Sequence, residues 1–80
     1  MDTQKALEWL TETLSVRGRV LTLEDTRDTV PEWDSLGDLL LLSMLDEQLG
    51  IVLDADEIAA LKSVKAITAL MEKSHAFLAR

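Results

Sequence analysis

The apolar positions at the start of the chain recur at the spacing of one helical face. Three leucines lie at i, i+3 and i+7, and they predict an amphipathic first helix. These residues are Leu7, Leu10 and Leu14. Asp2 or Thr3 can cap this helix, because a short side-chain oxygen accepts hydrogen bonds from the free N–H groups there. We expect the helix to end near Ser15, with Gly18 as a stop signal. Trp9 lies off the stripe and is expected to pack under the following loop.

A second helix is predicted from Asp34 or Ser35 up to a left-handed stop at Gly50. Its apolar face comprises Leu41, Leu42, Leu45 and Leu49. Its opposite face carries Ser43, Asp46 and Glu47. Leu36 and Leu40 lie on or near this polar side, where an amphipathic helix does not need them. They could form a contact surface for a partner, or the long preceding loop could cover them.

Two shorter helical segments follow. Asp54 can cap a short third helix over residues 55–61, and Ser63 can cap a fourth. The stripe of the fourth helix comprises Val64, Ile67, Leu70 and Met71, which Phe77 and Leu78 could extend. The sequence therefore predicts an all-α single domain over residues 1–80. We expect a small four-helix bundle with a short third helix and a long loop between helices one and two.

The predicted loop covers residues 16–34 and is rich in turn-forming residues. Its apolar residues are expected to hold it against the core: Val20, Leu21, Leu23 and Val30. Glu24, Asp25 and Asp28 could suggest a metal site, but they do not match the spacing of a calcium loop. We interpret this segment as a solvated acidic loop.

The charge is strongly acidic and unevenly distributed. The net charge is −7 and the pI is near 4.4, opposite in sign to a nucleic-acid-binding domain. No Lys or Arg occurs over residues 28–61, where all the charged residues are acids. These are Asp28, Glu32, Asp34, Asp38, Asp46, Glu47, Asp54, Asp56 and Glu57. This surface favours basic protein partners through electrostatic steering, although solubility alone would also account for it.

The residues that most catalytic sites require are scarce. The chain has no cysteine, and His75, its one histidine, has no evident acid or nucleophile partner. We therefore expect neither enzymatic activity nor a metal site. We also expect no signal peptide, because Asp2 rather than a basic segment and an apolar run follows Met1, and no stretch of the sequence has the length of an apolar membrane span. We expect a cytoplasmic monomer that binds neither nucleic acid nor membranes.

Ser35 is the candidate for a modification site. At the start of a helix, unsatisfied N–H groups and the helix dipole favour an anion such as a phosphodiester. The simpler interpretation is that Asp34 or Ser35 only caps the helix.

Asp34-Ser35-Leu36, opening a leucine-rich helix, resembles the attachment site of the acyl carrier protein family, and the resemblance runs from about Thr3 to Lys73. The downstream positions that carry it are Leu41, Leu45, Leu49-Gly50, Leu53, Asp56-Glu57, Leu61 and Val64. The resemblance implies that Ser35 bears a 4′-phosphopantetheine arm from coenzyme A, whose thiol holds acyl groups as thioesters. It implies that Asp34 and Leu36 help a phosphopantetheinyl transferase to recognise the serine.

The resemblance also implies docking to acyl-loading and acyl-processing enzymes with basic patches. The partner-binding positions it indicates are Asp38, Leu40, Asp46, Glu47, Asp56 and Glu57. A fatty chain would fold back between helices two and three, near Leu42, Leu45, Leu53, Ile58 and Leu61.

Three positions depart from the family pattern. Gly37 and Leu40 stand where carriers of fatty acid synthesis usually have acids, and Asp54 stands where proline is common. Trp33 before the motif is similar to discrete carriers of specialised pathways. The resemblance thus favours a fatty-acid-like, polyketide or other specialised acyl pathway. Two alternatives stay open: a helical interaction module with an unmodified serine, and a carrier-like domain that has lost modification.

Overall fold

The computed structural model describes residues 3–73, which form four α-helices and no β-strand. The helices are α1 (Thr3–Thr13), α2 (Ser35–Leu49), α3 (Ala55–Ala60) and α4 (Val64–Glu72). α1 packs against α2 and α4, and α3 packs against α2. The prediction of a small all-α four-helix fold with a short third helix and a long first connection is confirmed. Four residues discussed from the sequence lie outside the described range: Asp2, His75, Phe77 and Leu78.

The helical stripes meet in one hydrophobic core. The three leucines predicted to face inward from α1 are buried. On α2 the inward face is narrower than predicted, because Leu41, Leu45 and Leu49 are buried while Leu42 is only partly buried. Each fully buried leucine contributes roughly 1.5–3 kcal/mol. Without any cysteine, the chain relies on this packing for its stability.

The predicted stop and cap residues of α2, α3 and α4 are confirmed. Gly50 ends α2 with φ +67°. Asp54 and Glu57 form a capping box at the start of α3, with hydrogen bonds of 2.8 and 3.0 Å. The Ser63 hydroxyl accepts the Ala66 N–H at 3.1 Å at the start of α4. These local interactions fix the lengths of the helices.

The end of α1 differs from the prediction. Ser15, rather than Gly18, takes the left-handed conformation that stops the helix, with φ +58°. The Val16 N–H donates to the Thr11 carbonyl and the Ser15 N–H donates to the Glu12 carbonyl, both at 3.0 Å. This pair of bonds is a Schellman motif, and it satisfies carbonyls that the end of the helix leaves free.

Trp9 faces α2. Its side chain is buried, and the indole N–H donates to Gln48 Oε1 at 2.9 Å. The expectation that Trp9 packs under the following loop is corrected by this contact. The indole is buried between α1 and α2 while its polar N–H keeps a partner.

The connection between α1 and α2 is held to the core by part of its apolar side chains. Leu21 and Val30 are buried, as predicted, and the Leu21 N–H donates to the buried Thr11 hydroxyl at 2.9 Å. Val20 and Leu23 are 45% and 36% exposed, so the prediction that they anchor the loop is wrong.

Asp25 organises this loop from within. Its carboxylate is buried and accepts two hydrogen bonds from Arg19, one from the Thr29 hydroxyl and one from the Thr22 N–H, at 2.7–3.0 Å. Its backbone carbonyl accepts the Val64 N–H at 3.0 Å, which ties the loop to the start of α4. The Arg19 guanidinium, followed by the Thr29 hydroxyl, holds the pKa of Asp25 well below its usual range. The interpretation of a fully solvated acidic loop is therefore wrong at Asp25.

Candidate functional site

Asp34 is the residue that caps α2. It has extended backbone angles, and its side chain accepts the Gly37 N–H at 2.9 Å. Its carbonyl accepts the Asp38 N–H, also at 2.9 Å. The structure thus decides between the two candidates for the cap in favour of Asp34, and Ser35 is the first residue of the helix.

Ser35 is consequently left with an exposed hydroxyl. Within residues 3–73 its side chain makes no hydrogen bond, and the backbone N–H groups of Ser35 and Leu36 are also unbonded there. Leu36, the next residue, is 65% exposed. The start of α2 therefore presents an accessible nucleophilic oxygen beside two free N–H donors at the positive end of a helix dipole.

Gly37 brings the loop into contact with the helix. It is buried, and a Cβ added to it would lie 2.7 Å from the Glu32 carbonyl oxygen and 3.1 Å from Leu14 Cδ2. Any larger side chain would push the loop away from the first turn of α2. This close approach is a physical reason for glycine at a position where the resembling family usually has an acid.

Asp38 is engaged inside the molecule. Its Oδ1 accepts the Trp33 indole N–H at 3.0 Å and forms an ion pair with Arg27 at 2.5 Å. The Arg27 guanidinium also lies 5.5 Å from the centre of the Trp33 ring, and Trp33 is buried. The Asp38 side chain is only 17% exposed. The resemblance indicated Asp38 as a partner-binding residue, whereas here its carboxylate binds the loop.

The outer face of α2 is more apolar than the sequence analysis indicated. Leu36, Leu39 and Leu40 are 65%, 61% and 38% exposed, so the loop does not cover them. Leu39 was missed, although its i+3 spacing from Leu36 could have revealed it. These three leucines, which we call the outer leucine face, lie opposite the buried stripe, and α2 is apolar on two sides. The outer leucine face therefore needs an explanation other than core packing.

The acidic residues near this face are not equivalent. Asp46 and Glu47 on α2 and Asp56 on α3 are exposed and available for contact with a partner. Glu57 is exposed too, but its side chain accepts the Asp54 N–H in the capping box. Its carboxylate therefore has a structural role in addition to any role in docking.

The side chains expected to line a fatty-chain site belong to the hydrophobic core or pack against it. Leu45 and Ile58 are buried, and Leu42, Leu53 and Leu61 pack partly buried against the core. An open cavity of about 190 Å³ lies between α1 and α2. It is lined by Trp9, Glu12, Thr13, Met44 and Gln48.

The described residues hold no group of three or more histidine, cysteine, aspartate or glutamate side chains arranged to bind a metal ion. Among the same residues, no helix has the length and apolar character needed to cross a membrane.

Asp25 belongs to the hydrogen-bond network with Arg19 described above, so its carboxylate stabilises the loop.

Comparison with known proteins yields no relative. No protein-family model matches the chain, and neither the curated proteins nor the solved structures contain a match.

Proposed function

We propose that this protein is a discrete acyl carrier that is modified at Ser35. The observation that carries the proposal is the geometry of the Asp34-Ser35 pair. Asp34 performs the capping, so the serine hydroxyl is exposed and makes no hydrogen bond within the described part of the chain. Capping of α2 therefore does not account for Ser35.

The 4′-phosphopantetheine arm fits the groups that surround Ser35. When bound, the arm supplies a flexible thiol that holds an acyl group as a thioester. In its attachment, the Ser35 oxygen forms a bond to the β-phosphorus of coenzyme A, the nucleoside bisphosphate leaves, and the hydroxyl proton passes to a base of the transferase. The free N–H groups of Ser35 and Leu36 would face the resulting phosphodiester. The chain itself is a carrier in this proposal and catalyses no step.

The partners that fit this site are a phosphopantetheinyl transferase and acyl-loading and acyl-processing enzymes with basic docking patches. The outer leucine face starts beside Ser35, and the exposed acids Asp46, Glu47 and Asp56 lie on α2 and α3. Apolar contacts would supply affinity, while opposite charges would speed the encounter and orient the partners.

The test is the intact mass of the protein after incubation with coenzyme A and a broad-specificity phosphopantetheinyl transferase. We expect one phosphopantetheine group on wild type and none on Ser35→Ala. Ser43→Ala is a matched control, because Ser43 is an exposed serine on the same helix, and it should be modified like wild type. Modification of Ser35→Ala, or none of folded wild type with either this or a cognate transferase, would refute the proposal.

The outer leucine face also favours a second candidate, a helical interaction module whose serine stays unmodified. Three exposed leucines on one helix could bind a partner without any arm. In that case wild type would take no arm, yet substitution on the leucine face would still abolish binding of the partner. A carrier-like domain that has lost modification would give the same mass result.

A further inference from the structure

Contacts among three side chains hold the loop before Ser35 against the first turn of α2. Arg27 and Trp33 come from the loop, and both bind the same oxygen, Oδ1 of Asp38, in the first turns of α2. Arg27 also lies over the Trp33 ring, with 5.5 Å from its guanidinium carbon to the ring centre. We call this set the Arg27–Trp33–Asp38 clasp.

Ser35 lies between two residues of the clasp in the sequence. Trp33 lies two residues before the serine and Asp38 lies three residues after it, so Ser35 sits on the short segment between the two attached side chains. Residues three apart on a helix are neighbours on its surface, which places Asp38 next to Ser35. A movement of the loop against α2 would therefore act on the segment that carries Ser35.

The contacts of the clasp are shielded from water. Trp33 is 3% exposed, and the Arg27 and Asp38 side chains are 29% and 17% exposed. An ion pair of this kind is screened less by salt than a pair on the open surface. Two donors share one carboxylate oxygen, so removing that carboxylate releases both loop residues at once.

We propose that the Arg27–Trp33–Asp38 clasp is a positioning device that holds the first turn of α2, and with it the hydroxyl of Ser35, in one orientation before any partner binds. Its consequence for arm attachment rests on the proposed function. A preformed site spares the transferase the entropy cost of ordering the loop, so the clasp should act mainly on binding. Asp38 is then a positioning residue instead of a docking residue.

The first test asks, without any enzyme, whether the clasp orders the first turn of α2. We compare Asp38→Ala with Asp46→Ala, which makes the same chemical change at an exposed position of the same helix. The readout is amide hydrogen exchange of Gly37, whose N–H is bound by the Asp34 cap. Its protection should fall by about tenfold or more in Asp38→Ala, the scale of a lost hydrogen bond to a charged group, and stay unchanged in Asp46→Ala.

The second test measures arm transfer at a temperature where all variants are folded by circular dichroism. Asp38→Ala should raise KM for the carrier by about tenfold with kcat nearly constant, as expected when a preorganised binding surface is loosened. Trp33→Phe removes the N–H donor together with part of the indole but leaves the ion pair of Arg27 with Asp38, so it should give a smaller shift in the same direction. Asp38→Asn keeps an acceptor oxygen for Trp33 and should recover part of the loss.

The outcomes separate the two proposals. Equal Gly37 protection in Asp38→Ala and Asp46→Ala would overturn the clasp, whatever the transferase does. A KM of Asp38→Ala equal to that of wild type would overturn its role in arm transfer. If wild type takes no arm, the proposed function fails, and the amide exchange measurement still decides whether the clasp orders the first turn.

Discussion

Gly37→Ala is the substitution for which the structure makes the least conventional prediction. At an open helical position, replacing glycine by alanine stabilises a protein by up to about 1 kcal/mol. At Gly37 the new Cβ would lie 2.7 Å from the Glu32 carbonyl oxygen and 3.1 Å from Leu14 Cδ2. The nearer atom belongs to the backbone, and the buried side chains of Val30 and Trp33 hold the loop in place on either side of Glu32.

The magnitude follows from two opposing contributions. Overpacking costs about 1–3 kcal/mol. We take a cost of about 2–3 kcal/mol here, because the Glu32 backbone cannot rotate away as a side chain can. Subtracting about 1 kcal/mol for the gain in helix propensity leaves a net loss of about 1–2 kcal/mol. A domain of this size loses about 4–8 °C in Tm for each kcal/mol.

Urea denaturation followed by far-UV circular dichroism measures this difference. Ser43→Ala is the matched control, because it also places alanine on α2 but at an exposed position, and it should change stability by less than about 0.5 kcal/mol. A Gly37→Ala protein as stable as wild type, beside a neutral Ser43→Ala, would show that the loop does not press on the first turn of α2. The reasoning about the close approach at Glu32 would then be refuted.

Three other substitutions test separate parts of the fold and the site. Asp25→Asn should cost about 2 kcal/mol at pH 7, because hydrogen bonds to a buried charge are weakened. Since the folded pKa of Asp25 is lowered, this stabilisation is complete above the unfolded pKa of about 3.9 and is lost as the pH falls further. Urea unfolding at pH 7 and pH 3 should therefore show a smaller gap between wild type and Asp25→Asn at pH 3, and a constant gap would contradict the network. Ser15→Gly should raise the free energy of unfolding by about 1 kcal/mol in thermal melts, because glycine adopts φ +58° without strain, and Ser15→Ala should give no gain. Leu40→Glu should raise the KM of arm transfer with little change in Tm, since Leu40 is 38% exposed, whereas a loss of several degrees would assign Leu40 to the core.

The parts of the fold that depend on local sequence could be predicted. Asp54, Ser63 and Gly50 act on groups within five residues of themselves, so their types and positions were sufficient. The buried stripe of the first helix, and that of α2 except for Leu42, follow from helical periodicity. The left-handed stop at Ser15 could not be predicted, because serine has no strong preference for that conformation and Gly18 offered a more conventional stop.

The parts that depend on contacts between distant segments could not be predicted. Arg27 and Asp38 are separated by eleven positions, and nothing in the spacing of the two residues indicates that the loop folds back onto the helix. The sequence predicts that Asp25 is solvated. Its hydrogen bonds to Arg19 and Thr29, which the spacing does not indicate, explain why it is buried. For the candidate site, the sequence indicated Ser35 but left open whether Ser35 or Asp34 caps α2.

α2 is the element in which stability and function make different demands. A helix that only closed this core would carry polar residues opposite Leu41, Leu45 and Leu49, yet that side holds the outer leucine face. Exposed leucines favour association, and the absence of basic residues over residues 28–61 opposes association between copies, because like charges would meet. The same combination favours a partner with apolar and basic groups. Packing therefore does not account for the composition of this side of α2, whereas binding of such a partner would, and Ser35 at its edge would then lie within reach of the partner.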